Sequence, residues 1–132
     1  MRRFWLCATV LFAGCSETPP PTCTALVLDE ACAPLYQPSF TNVYANTITT
    51  DCGSSRGACH ADGGESKLSF ATEQAAYDNL LRDYVTAGNP ECSEMIVRTA
   101  DVGEDYTMPQ GDSLGESERC ALQQWVRQGA VR

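Results

Sequence analysis

Eight cysteines are spread over 132 residues, at positions 7, 15, 23, 32, 52, 59, 92 and 120. A chain of this length builds one domain. Cysteine in such number points to an oxidising space outside the cytoplasm, where free thiols do not persist by default. The first two stand apart. Cys7 sits in an apolar run over residues 4–13, broken only by Thr9, that follows the basic start Met1-Arg2-Arg3. The run is shorter than the roughly 20 residues needed to span a bilayer as a helix. A basic start, a short apolar stretch and small residues at its end have the form of a secretory leader. Six cysteines then remain, Cys23, Cys32, Cys52, Cys59, Cys92 and Cys120, enough for three disulfides of about 2–4 kcal/mol each in many possible connectivities.

The end of the leader is more specific. Leu11-Phe12-Ala13-Gly14-Cys15 resembles a bacterial lipobox, with Phe12 where Leu is usual. The resemblance implies a leader over 1–14, a mature chain starting at Cys15, and a diacylglyceryl thioether on that sulfur. Several acyl chains hold a protein to a membrane firmly. Ser16 after the cysteine, in place of Asp, favours the outer membrane by the usual sorting pattern. The expected location is therefore the periplasmic or cell-surface face of that membrane. Residues 15–34 read as a tether followed by a cysteine-bounded segment: Pro19-Pro20-Pro21 is extended, and Cys23 and Cys32 could close on each other as a small loop. The charge is −8, with 17 acidic side chains against 9 Lys and Arg. Loss of Arg2 and Arg3 with the leader makes the mature part more acidic still. Such a surface repels nucleic acid and anionic headgroups.

From residue 35 onward the pattern is helical. Phe40, Val43, Tyr44, Thr47 and Ile48 fall on one face of a helix that starts after Pro38 and ends near Gly53. Tyr77, Leu80, Leu81, Tyr84 and Val85 repeat the spacing in a second helix from Thr72 or Glu73, stopped by Gly88-Asn89-Pro90. Ala121, Leu122, Trp125 and Val126 mark a third, over about 116–128, with Gly115 at the cap, Glu118 three residues on, and Gly129 at the end. Residues 91–114 are mixed, with a short apolar run at Met95-Ile96-Val97. No strand alternation and no internal repeat is present. The expectation is an all-α, loop-rich, disulfide-supported domain over 35–132.

One pair of residues carries chemistry. Cys59-His60 is the core of a haem-attachment motif, in which cysteine sulfurs bond to the haem vinyl groups and the histidine after the second cysteine ligates iron. Arg56 stands where the first cysteine usually is; the nearest upstream cysteine is Cys52, giving C-G-S-S-R-G-A-C-H. His60 is the chain's single histidine. A second axial ligand, often Met sulfur, approaches from the other face, and Met108-Pro109 offers one. Met95 lacks a following Pro to shape its turn. The Cys and His spacing fits no standard zinc pattern.

The order of these features resembles the small cytochrome c-like lipoprotein domains of myxobacteria and related bacteria. An opening helix runs into a widened Cys…Cys-His. Gly63-Gly64 and Leu68 follow, then a helix with Ala76-Tyr77 and Leu80-Leu81, then Cys92 before Val97. Met108-Pro109 and a last helix closing on Trp125-Val126-Arg127-Gln128-Gly129-Ala130 complete the set. The attachment spacing is wider than in relatives, and a Ser-Leu-Leu-type segment is missing between Val97 and Met108. The resemblance implies one haem c held by Cys52 and Cys59, with His60 proximal and Met108 distal. It implies electron transfer with a redox protein partner, no catalysis on a substrate, and a last helix packed on the first through Trp125. Cysteine parity disfavours haem on Cys59 alone without excluding it, since one of five remaining thiols would be unpaired, and it does not choose between two other arrangements. With haem on Cys52 and Cys59, four cysteines form two disulfides, Cys23–Cys32 and Cys92–Cys120 being one pairing. Without haem, six can form three, and the chain is a disulfide-stapled binding or structural lipoprotein. No hydrolase triad and no phosphate loop is visible, so no enzyme activity is expected.

Overall fold

The computed structural model describes residues 18–53, 59–64, 66–100 and 103–132; the leader and Cys15 lie outside them. The described residues are helical and contain no strand. Helix α1, Phe40–Val43, starts at Ser39, whose side chain caps Asn42 N–H. It continues without a break as a π-helical segment, Tyr44–Cys52. Helix α2 spans Glu73–Asp83, capped by Thr72 through the Ala75 N–H. A 3₁₀ turn, Pro90–Cys92, leads into the short α3, Glu94–Arg98. Helix α4 covers Glu116–Arg127.

The faces read from the sequence are the buried ones. Phe40, Val43, Thr47 and Ile48 are fully buried, as are Leu80, Leu122, Trp125 and Val126. Phe40 is the hub: its ring lies 5.2 Å from Trp125 and 4.9 Å edge-on from Tyr77, centroid to centroid. The last helix thus packs on the first through Trp125. Both larger aromatics also satisfy their polar ends, Trp125 Nε1–H on the Val131 carbonyl at 2.8 Å and Tyr77 O–H on the Ala130 carbonyl at 3.1 Å. Buried donors with partners add specificity to apolar area.

One helix boundary, the end of α2, differs from expectation, and two others form as expected with detail of their own. Gly53 does end the first helical run, but at φ −86°, outside the left-handed region. Its role is close approach: a Cβ there would stand 3.2 Å from the Ile48 carbonyl oxygen. Helix α2 stops at Asp83, short of Val85, because tertiary partners take over the backbone. Met95 N–H bonds the Tyr84 carbonyl, and Thr86 N–H bonds Ser93 Oγ. At α4, Glu118 accepts the Gly115 N–H at 3.0 Å. This is half a capping box, since glycine has no side chain to return the bond.

The disulfides correct the local pairing considered above. Cys23 is joined to Cys92 and Cys32 to Cys120, over sequence separations of 69 and 88 residues. Cys23–Cys32 and Cys92–Cys120 do not form, because the N-terminal segment is strapped across two different elements. Thr24 N–H bonds Glu91 O at 2.9 Å beside the 3₁₀ turn. Gln124 Nε2 bonds Cys32 O at 2.9 Å, and Gln123 Nε2 reaches Leu28 O at 3.3 Å, both from α4. The two disulfides indicate an oxidising, exported environment. No helix among the described residues is long and apolar enough to cross a membrane.

Candidate functional site

The Cys59-His60 turn is closed by its own backbone. Ser66 N–H bonds Cys59 O at 3.0 Å, Phe70 N–H bonds His60 O at 2.9 Å, and Gly64 N–H bonds Ala61 O at 2.9 Å. The returning segment of this loop brings the Leu68 carbonyl 3.0 Å from His60 Nδ1. A carbonyl only accepts, so Nδ1 carries the hydrogen and neutral His60 keeps its lone pair on Nε2. A second ring N–H fixed on a backbone carbonyl is the arrangement of a metal-ligating imidazole. Burial pulls the His60 pKa below its usual 6.5; the Leu68 bond opposes this, and the Arg98 charge adds to it. The imidazole is therefore held neutral, the form that ligates. Phe70 stands 4.9 Å from its ring, and Tyr44 O–H on the Phe70 carbonyl ties this loop to the π-helical segment.

Met108 belongs to a turn hung on α3. Its N–H bonds Arg98 O at 2.7 Å, and Arg98 Nη1 bonds Tyr106 O at 3.2 Å, while Arg98 Nε pairs with Glu94 at 2.8 Å. Arg98 thus fixes the Met108 turn and lies within electrostatic reach of His60. Met108 is half-buried, whereas Met95 is a core residue at 8% exposure. Neither Arg98 nor the Leu68 carbonyl carries a signal in the sequence. Leu68 and Phe70 read there only as apolar residues ahead of α2.

Cys52 is a free thiol at the end of the π-helical segment. Burial pushes it up to about 12, with Asp51 and Glu118 adding to the rise. Next to it, Tyr36 Oη and Thr47 Oγ1 share a 2.6 Å hydrogen bond, and Thr47 donates to Glu118 at 3.4 Å. Cys59 is itself disulfide-bonded.

A haem c would ask for a neutral imidazole, two thiols and a distal ligand. His60 fits this set through its Leu68 bond, Cys52 is a free thiol, and Met108 lies on the turn hung on α3. Cys59 fits only once its disulfide is opened. Among the described residues, one cavity of about 10 Å³ lies between residues 26–28 and α3, and another of about 210 Å³ lies between residues 20–22 and residues 82–86. Neither is lined by His60, Cys59 or Met108. Among the described residues no group of three or more His, Cys, Asp or Glu side chains could hold a metal ion. No family model, no curated protein and no solved structure matches this chain.

Proposed function

We propose that this chain is a membrane-tethered electron-transfer protein with a cytochrome c-like domain, anchored by lipid on Cys15. One haem c would be held by thioethers from Cys52 and Cys59, with His60 as proximal and Met108 as distal ligand. The observation that supports it most directly is the His60 Nδ1–Leu68 O bond, which orients Nε2 as a ligand in the residue after Cys59. When bound, the haem supplies one-electron chemistry between Fe(II) and Fe(III), and a Met sulfur ligand raises its potential. The protein's own part is to hold the imidazole neutral through burial and the Leu68 carbonyl, and to present the Met108 turn from the end of α3. A second reading draws on the Cys59 disulfide. It is a haemless lipoprotein, stapled by disulfides, serving as a binding or structural module.

Expression in a host with cytochrome maturation machinery separates the two. The first reading expects a red protein whose haem survives a denaturing gel, and loss of that covalent haem in Cys59→Ala. A colourless product without Soret absorption, with Cys59 in a disulfide by peptide mapping, refutes it and leaves the second.

A further inference from the structure

The first described residues run along one surface of the domain and are fixed there at several points. Thr18 Oγ1 bonds Asp105 Oδ2 at 3.3 Å. Pro20, Pro21 and Thr22 line a cavity of about 210 Å³ whose far wall is residues 82–86. Cys23 is then joined covalently to Cys92, and Thr24 N–H bonds Glu91 O. The chain is thus committed to this surface from its first described residue, well before it reaches the body of the domain.

Only Ser16 and Glu17 lie between Cys15 and Thr18, so the two ends of this stretch are at most about 10 Å apart. We infer that the surface made by residues 103–106 and by residues 18–22, which lie over residues 82–86, faces the membrane, with a layer of phospholipid headgroups as its occupant. The inference rests on the lipid anchor at Cys15 included in the proposed function. Charge does not drive the contact: Asp83 is paired with Arg82 at 2.9 Å, and Glu104 and Asp105 are exposed where an anionic layer would repel them. A zwitterionic layer at a distance set by the tether is the fitting occupant, and the contact should be indifferent to salt.

The test uses the full chain, lipidated in its host and placed in phosphatidylcholine–phosphatidylethanolamine vesicles, beside soluble Cys15→Ser protein. Exposed carboxylates are labelled with a carbodiimide and an amine, then mapped by mass spectrometry. Labelling at Asp83, Glu104 and Asp105 is expected to fall several-fold on the vesicles. Labelling at Glu73, about 15 Å away at the other end of α2, should not change. A flexible Gly-Ser insertion after Ser16 should restore labelling at the three positions while the protein stays bound. Lipidated, vesicle-bound protein with unchanged labelling there, or with equal loss at Glu73, overturns the orientation alone. Protein that lacks the lipid mass, or washes off the vesicles, overturns the anchor and the orientation together.

Discussion

Removing either disulfide should cost nearly the same stability, although their loops differ in length. Taken singly, closures of 69 and 88 residues contribute about 4.4 and about 4.6 kcal/mol in the chain-entropy account. The two bonds overlap, however. With Cys23–Cys92 in place, the shortest path from Cys32 to Cys120 runs back to Cys23, across the bond, and on from Cys92. That path is about 37 residues, and the same path applies when the roles are exchanged. Either bond then contributes about 3.8 kcal/mol when the other is present. Loss of both approaches 8 kcal/mol, comparable with the whole stability of a small domain. The assay is urea unfolding of the oxidised mature protein, of the Cys23→Ala/Cys92→Ala pair, of the Cys32→Ala/Cys120→Ala pair, and of all four changes together. The two pairs should each lose about 4 kcal/mol, within about 1 kcal/mol of each other, and the fourfold variant should not fold. A loss below about 1 kcal/mol for either pair refutes the reasoning, as does a non-reducing peptide map that recovers Cys23 linked to Cys32.

Phe40 is fully buried against Tyr44, Tyr77 and Trp125, so Phe40→Ala should destabilise the domain by about 3–5 kcal/mol in the same urea assay; a loss under about 1 kcal/mol would show that this aromatic cluster is not the core. Tyr36 is raised to about 12, chiefly by burial, with the Thr47 bond opposing and Glu118 adding to the rise. Its folded value exceeds its unfolded value of about 10, so its contribution is complete below pH 10 and is lost as pH rises towards 12. Tyr84 is also raised, chiefly by burial, so alkaline titration followed by tyrosinate absorbance should lose one late-ionising tyrosine, not all late ionisation, in Tyr36→Phe, with a shallower loss of stability over that range.

The helices were legible because their buried faces repeat at helical spacing. Phe40, Val43, Thr47 and Ile48 keep that spacing even though most of the run is π-helical, a distinction that periodicity cannot draw. The short α3 was not legible: five residues are too few for a period, and its placement depends on Ser93, Tyr84 and Thr86 elsewhere in the chain. At the candidate site the sequence supplied Cys59, His60 and Met108 as a set. It held nothing about the Leu68 carbonyl or Arg98, because a backbone acceptor has no side-chain signature and an arginine on a short helix looks solvated.

The chain's own order of residues settled its helical class, its oxidising surroundings and which faces are apolar, since local spacing and cysteine number express those directly. Tertiary structure alone decided which cysteines pair, where α2 stops and which nitrogen of His60 bears the hydrogen. Each of those depends on groups that local spacing does not pair, brought together only when the N-terminal segment crosses α4, the end of α2 meets Ser93 and Met95, and the loop folds back on its histidine.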